Sequence, residues 1–600
     1  MNSDILTSID SHFANFMLRL AESQDKALFL ASALLSRAAG EGHICLELTS
    51  VAGKAVRIDG NSAVVCPGLS EWLSALQGVS VVGRPGDFRP MILDKTRLYM
   101  HRYWYYEQAL TDSILSKCLR PPVEILDMDG LHERLSRFFP QNIKDNEPDW
   151  QKAAACTALS KGFCVISGGP GTGKTTTVVK ILALLLEQFG SNNAIALTAP
   201  TGKAAARLQE AVLKAKASLD CTEAVKTAIP EDVLTIHRLL GAGTEPSQYR
   251  YNEDNPLPCQ IIVVDEASMV DLPLMSRLFL ALQAQARVIL LGDRDQLASV
   301  QPGAVLGDIC GAQEAINTFS PQFGKFLHNG AGISVSITEG RVRPIQDSLV
   351  TLQKNYRFGQ ESGIAAVSRL VKQGYHRDAL KLLKEKRFAD IGWAPLPQAL
   401  GAALKPHIIN GYKRYLETDN ILDAFGLFDT FRILCAIRNG PYGVENMNTM
   451  VRKILAGAGL VKQEGLWYRG RPVMITRNDY NLHLFNGDIG ITGIDQQDGT
   501  ALRVFFQGTN GELRQFLPQM LPQHETAYAM TVHKSQGSEF DKVLLILPDR
   551  QVEVLTRELI YTAITRAKKE VMLWGLEPVF EKAVASRIER HSGLNDALWA

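Results

Sequence analysis

The sequence predicts an α/β protein organised around parallel sheets, and three observations carry that expectation. Short β-type runs, Phe163 to Ser167, Ala194 to Thr198, Ile261 to Val264 and Val288 to Leu291, alternate with longer stretches of helical periodicity, the pattern of strands joined by helical crossovers. Each run ends in a polar or glycine-rich segment, where open α/β sheets hold their ligands. The second half of the chain repeats this character without an obvious sequence repeat, so a second α/β domain is expected.

Taken in order, residues 1–115 carry apolar helical patterns such as Ala27 to Leu35 and then an aromatic cluster from Leu98 through Tyr103, Trp104, Tyr105 and Tyr106. Nothing there is catalytic in type. Exposed aromatics can stack on bases, but large aromatics more often fill cores and subunit contacts, so this region is expected to be a mainly helical interface domain. Residues 116–345 form the first α/β domain and 346–600 the second. Within the second, residues 465–525 read as short strands with turns (Arg471 to Thr476, Asp488 to Gly493, Leu502 to Phe506), an expected small inserted β-barrel. The polar stretch Pro140 to Pro148 reads as a connection, and Gly241 to Pro258 and Gly311 to Arg343 read as loops or insertions.

With 600 residues, 46% hydrophobic and 21% charged, the chain can bury several cores. Its 64 basic and 63 acidic residues leave a net charge of +1, so no global electrostatic attraction to nucleic acid exists and any such surface must be a local channel. The nine cysteines show no CxxC and no regular spacing with histidine, which indicates reduced thiols acting as small hydrophobes in a cytoplasmic protein rather than a zinc site or a disulfide framework. Asp4, Asp10 and Glu22 interrupt the start of the chain and do not fit a secretory signal. No apolar run reaches the ~20 residues of a membrane span.

The chemistry sits at the strand ends. Gly168, Gly169, Pro170, Gly171, Thr172, Gly173, Lys174 and Thr175 match G-x-x-x-x-G-K-[ST] between a strand-like run and the helical Thr176 to Phe189. Glycines let the backbone curl around phosphate oxygens, and the helix N-terminus favours negative charge. Lys174 is expected to reach the β- and γ-phosphates of ATP and the Thr175 hydroxyl to ligate Mg²⁺. The run Ile261 to Val264 delivers Asp265 and Glu266; Asp265 is expected to hold the Mg²⁺ shell and Glu266 to orient or deprotonate the attacking water. Gln296, in Gly292-Asp293-Arg294-Asp295-Gln296, offers a neutral amide to sense the γ-phosphate. Arg357 and Arg566 lie beyond the first sheet and supply positive charge for a phosphoryl-transfer transition state. No nuclease cluster of spaced carboxylates and a lysine is evident.

Seven segments in this order resemble the superfamily 1 helicases: the phosphate loop, Ala199 to Ala205, Asp265 to Ser268, Gly292 to Gln296, Asn355-Tyr356-Arg357, Val532 to Phe540, and Tyr561 to Ala567. The resemblance spans Trp150 to Lys568. Within that superfamily, Thr235 to Gly241, Leu297 to Asp308 and Leu484 to Gly490 are similar to the RecD family, the alpha subunit of exodeoxyribonuclease V. The resemblance implies two RecA-like P-loop motor domains, an ATP-dependent DNA helicase moving 5′ to 3′ on single-stranded DNA, a role in double-strand break repair and recombination, and a heterotrimer with RecB and RecC acting on duplex ends. It implies that the nuclease belongs to another subunit. Carried over by position, Gln151 matches the adenine-reading glutamine, Thr176, Gly537 and Glu539 join the nucleotide contacts, and Gln536 to Glu539 link nucleotide state to DNA grip. Thr201, Lys203, His237, Thr531, His533 and Lys534 fall where the family touches the single strand, and hydroxyl and basic groups suit sequence-independent phosphate contacts. Other readings are a different P-loop ATPase, which would lack the segments after Met530, and a structural subunit with a vestigial ATPase that stabilises a nuclease complex.

Overall fold

The computed structural model describes residues 6–58, 63–120, 128–140, 148–242, 249–311, 316–359, 361–462, 465–479, 481–495, 499, 501–508 and 512–600. Parts of the stretches 140–148, 241–258 and 311–343 singled out above lie outside them. No described helix is long and apolar enough to cross a membrane.

Six strands make the first sheet in the order Leu349–Leu352, Phe163–Gly168, Arg287–Gly292, Ile261–Val264, Ile195–Ala199 and Val233–Thr235. Every neighbouring pair is parallel. Successive residues of a strand point to opposite faces, and here they enter two different cores. Cys164 and Ile166 pack with the helices Trp150–Ser160 and Lys174–Phe189, whereas Phe163 and Val165 pack with His101–Cys118 and Leu272–Leu280. Burial on both faces explains the continuous apolar runs of the sequence.

The helix His101–Cys118 belongs to this arrangement, because Leu110 and Ile114 are fully buried against the first sheet. The expected boundary at 115 therefore cuts through a helix. The boundary at 345 also shifts, since Leu349–Leu352 pairs with the phosphate-loop strand. Residues 311–343 are not a plain loop among the described residues. They contain the helix Pro321–Ala331, capped by Ser320 and anchored by buried Phe323 and Leu327. Its Ser-Pro start is a helix signal that the surrounding glycines had masked.

The second sheet has the order Ile391–Pro395, Ala567–Gly575, Phe540–Ile546, Phe431–Cys435 and Ala529–Thr531, again all parallel. Between the helix Val444–Gly457 and the strand Ala529–Thr531 is a separate antiparallel sheet. Its order is Leu513–Phe516, Leu502–Gln507, Ile489–Ile494, Pro472–Ile475 and His524–Thr526. It sits where a barrel was expected, but its two edge strands are not paired with each other among the described residues, so it is an open sheet.

The N-terminal region also differs from a mainly helical domain. Helices Ser8–Leu20, Lys26–Gly40 and Leu69–Gln77 accompany a four-stranded sheet of Cys45–Glu47, Arg97–Met100, Met91–Asp94 and Val82–Gly83. Strands of two to four residues are too short to show alternation in sequence. Tyr99 and Tyr103 of the aromatic cluster are buried and serve as core. All nine cysteines are free, and eight of them are buried.

Candidate active site

The phosphate-loop strand ends at Gly168, and the chain turns through Gly171 and Gly173, both at φ +82°. A side chain at Gly171 would meet Arg357 Cβ at 2.5 Å and Asn355 Oδ1 at 2.8 Å, so glycine is required there by conformation and by space. Gly173 precedes the helix Lys174–Phe189 and makes no side-chain cap, which leaves the first helical N–H groups able to meet an anion. Lys174 Nζ donates to Gly168 O at 2.6 Å and Gly169 O at 3.2 Å. Gln151, on the helix capped by Asp149, donates from Nε2 to Thr172 O at 3.2 Å, which ties it to the loop.

The buried strand Ile261–Val264 presents Asp265 and Glu266 beside that loop. Asp265 Oδ1 accepts from Glu266 N at 2.8 Å. Glu266 has φ +50°, a left-handed conformation that is uncommon outside glycine and is found at functional turns. Burial, followed by the neighbouring Glu266 charge, pushes the Asp265 carboxyl up to about 6, with Lys174 and Arg207 opposing. Two crowded carboxylates of this kind favour a bound cation, so Thr175 and Asp265 fit a magnesium ion held against phosphate.

The second sheet closes the other side. Arg566 is 2% exposed, and its Nη2 donates to Gln296 Oε1 at 3.1 Å. Gln296 Nε2 and Tyr561 Oη both donate to Asp293 Oδ2, at 3.1 and 2.9 Å. Gln536 Nε2 donates to Leu297 O at 2.9 Å, and Leu297 N to Thr562 Oγ1 at 3.0 Å. Arg357 arrives from another direction. Asn355 Nδ2 donates to Pro170 O at 2.8 Å and Tyr356 N to Gly171 O at 2.7 Å, so the Asn-Tyr-Arg segment is fastened to the phosphate loop itself. Arg357 Nη2 donates to Glu539 Oε1, and Glu539 Oε2 lies 3.4 Å from Arg207 Nη2. Burial pushes the Glu539 carboxyl up, but Arg207 and then Arg357 outweigh it and hold it below the usual range.

Several of these groups line one cavity of about 380 Å³, which also takes in Pro170, Thr172, Thr176 and Gly537. Lys174, Thr175, Asp265, Glu266, Gln296, Arg357, Glu539 and Arg566 all border it. Gln151 reaches the same loop from behind. Arg207, Asn355 and Tyr561 were missed in the sequence. For Arg207 a signal existed, because it stands four residues after Lys203 and so on the same helical face.

The nucleic-acid candidates are more dispersed. Lys203 lines a second cavity of about 720 Å³ between the helix Gly202–Ala217, the helix Ile421–Phe428 and the antiparallel sheet, together with Arg238, Phe485 and Arg514. Burial lowers the Lys203 ammonium to about 8, with Asp429 opposing. Thr201 caps its helix by accepting from Ala204 N at 3.2 Å. His237 does not line this cavity; its ring lies 6.4 Å from that of Tyr249. Thr531 Oγ1 accepts from Lys534 N at 3.2 Å, and Lys534 Nζ donates to Asn486 Oδ1 at 2.6 Å. His533 is in the same turn. Thr201 and Thr531 thus stand at the C-terminal ends of parallel strands, one in each sheet.

Three family descriptions match the chain: the RecBCD enzyme subunit RecD N-terminal domain at residues 2–99, an AAA domain at 151–302 and a UvrD-like helicase C-terminal domain at 526–574. RecBCD enzyme subunit RecD of Haemophilus influenzae is 35% identical over 88% of this chain and 85% of its own length. That of Mycobacterium tuberculosis is 38% identical over 98% and 94%. The ATP-dependent RecD2 DNA helicase of Deinococcus radiodurans is 30% identical over 82% of this chain and 57% of its own. Among solved structures, a Bacteroides Pif1 helicase in complex with ADP-AlF3 and ssDNA has a TM-score of 0.36 and 18% identity, covering 68% of this chain and 88% of its own.

Proposed function

This chain belongs to the RecD family of RecBCD enzyme subunits and is an ATP-dependent DNA helicase, and from that premise we propose that it moves 5′ to 3′ along single-stranded DNA, driven by the residues of its cleft. The observation that carries the reading is the single cavity in which Lys174 and Glu266 of the first sheet face Arg566 of the second.

In this mechanism the helix N-terminus at Lys174 and the loop N–H groups hold the phosphates of ATP, and Gln151 reads the base. Thr175 and Asp265 would hold magnesium, which when bound would supply charge neutralisation on the phosphate oxygens. Glu266 orients a water and takes its proton. Gln296 senses the γ-phosphate and is itself held by Arg566 and Asp293. Arg357 and Arg566 stabilise the negative charge that grows in the transition state. Because Arg566 comes from the second sheet, the cleft closes with triphosphate and relaxes after hydrolysis, which makes a stroke. Thr201, Lys203, His237, Thr531, His533 and Lys534 grip the strand on the two motor domains, with Lys203 best supported through its cavity. The chain works in the cytoplasm beside RecB and RecC on duplex ends, in double-strand break repair and recombination. A structural subunit with a vestigial ATPase is not favoured, because every hydrolytic group borders one cleft.

The test is strand separation by the purified chain, alone and with RecB and RecC, on duplexes bearing a 5′ or a 3′ single-stranded tail. Unwinding by the chain from the 5′ tail, lost in Lys174→Gln, is expected. Unwinding from the 3′ tail alone overturns the direction, and DNA processing that is indifferent to Lys174→Gln restores the structural-subunit reading.

A further inference from the structure

The nucleotide cleft and the larger cavity beyond it share two lining residues, Arg207 and Glu210. Both stand on the helix Gly202–Ala217, which starts just after the strand Ile195–Ala199 ends. One turn before Arg207 on that helix is Lys203, which lines the larger cavity. One helix therefore faces both ligands.

Arg207 is tied to the second sheet through an ion pair with Glu539 at 3.4 Å, and the other oxygen of that carboxylate receives Arg357. Two guanidinium groups thus share one carboxylate, one on each oxygen. The preceding residue but one, Gly537, packs on the first turn of the Arg207 helix, where a side chain would meet Ala204 Cβ at 3.7 Å. The segment that carries Glu539 thus touches the turn that carries Lys203.

We propose that Arg207 is a positioning residue that transmits nucleotide occupancy to the nucleic-acid cavity through its shared partner Glu539. A bound triphosphate draws Arg357 toward its terminal phosphate, because charge-assisted contacts to phosphate are strong and bidentate for arginine. Glu539 then turns from two partners to one, and the Arg207 pair tightens. The helix Gly202–Ala217 moves with its arginine and resets Lys203 in the larger cavity. After hydrolysis Arg357 returns to Glu539 and the pull on Arg207 falls. The inference rests on the reading of the chain as a DNA motor, and adds the side chain by which one site senses the other.

The experiment measures the affinity of the full chain for an oligothymidylate, with ADP and with a non-hydrolysable ATP analogue, in wild type, Arg207→Gln, Arg207→Lys, Glu539→Gln and the double variant Arg207→Gln/Glu539→Gln. Wild type is expected to show a ratio between the two affinities of about tenfold, within the usual range of coupling between sites. In Arg207→Gln the ratio collapses to within about twofold of one, Arg207→Lys recovers part of it because it keeps the charge, and the double variant loses no more than either single one, as expected for two members of one pair. A ratio unchanged in Arg207→Gln, or losses that add in the double variant, overturns the proposal. If Arg207→Gln does not fold, an Arg207→Lys ratio equal to wild type together with a normal ratio in Glu539→Gln overturns it as well. A wild-type chain that binds no oligothymidylate under any condition fails at the earlier reading of the motor, which the unwinding assay detects separately.

Discussion

Two of the joints by which the second motor domain meets the rest of the molecule have opposite character. At the nucleotide cleft the contacts are polar side chains: Arg566 on Gln296, Tyr561 on Asp293, and Arg357 and Arg207 on Glu539. At the far joint the end of the chain leaves the second sheet and straps the N-terminal region to the first. Leu594 and Leu598 are each 1% exposed, in the same core as Ile44, Leu110, Val305 and Ile309. Backbone groups reinforce the strap, with Ile44 N donating to His591 O at 2.9 Å and Gly593 N to Glu107 Oε2 at 2.9 Å. A hydrogen bond contributes about 1 kcal/mol net and can be traded for a bond to ligand, whereas a buried leucine contributes about 1.5–3 kcal/mol that no ligand replaces. One joint is built to exchange partners and the other to stay shut.

Breaking the cleft should cost activity and leave stability. Arg566→Ala is expected to lower kcat for ATP hydrolysis by about 10³-fold or more, as for an arginine finger supplied in cis, and Lys174→Gln by about 10²–10³-fold, while thermal unfolding of Lys174→Gln stays near wild type. Steady-state hydrolysis and calorimetry on the same preparations check both halves. Breaking the strap should do the reverse. Leu594→Ala and Leu598→Ala are each expected to destabilise the N-terminal region by about 2–5 kcal/mol through lost burial and a residual cavity, read as a lower denaturant midpoint and faster proteolysis ahead of residue 118.

A smaller effect sharpens the contrast through pH. Burial pushes the Glu107 carboxyl up from 4.5 to about 7, partly countered by its bonds from Gly593 N and Tyr99 Oη. An acid raised in this way contributes stability that is fully present below pH 4.5 and lost as pH rises through 7, on the order of 3 kcal/mol in all. His43 works the other way: burial, then His591 and Arg590, lower it from 6.5 to about 4, so its contribution is lost as pH falls below 6.5. Comparing Glu107→Gln with wild type between pH 5 and 8 isolates the carboxyl, and the variant should lose less stability across the rise. An equal slope in the two proteins sinks the assignment. The smallest effect is expected from Tyr561→Phe, about 1 kcal/mol, because Gln296 still donates to Asp293; a larger loss in a urea titration would show that the cleft is not as exchangeable as the comparison holds.

Much of the site was legible because its residues are consecutive. The phosphate loop, Asp265-Glu266 and Gly292 to Gln296 each follow an apolar run, and the run Ile261 to Val264 matches the observed strand residue for residue. What was not legible depends on contacts distant in sequence. Val233–Thr235 and Leu349–Leu352 are three and four residues long and become strands only because the neighbouring strand offers a free edge. Its spacing from Lys203 places Arg207 on the same helical face, but its partner Glu539 stands more than three hundred residues later and only the fold brings the two together.

The sequence by itself determined the class of fold and the order of its chemistry, since phosphate binding and the paired carboxylates require particular residues at fixed short spacings on strand ends. The tertiary structure alone decided which arginines meet across the cleft, that the helix His101–Cys118 serves the first sheet, and that the last residues of the chain hold the first. Those outcomes follow from burial and charge pairing between segments that local periodicity does not connect.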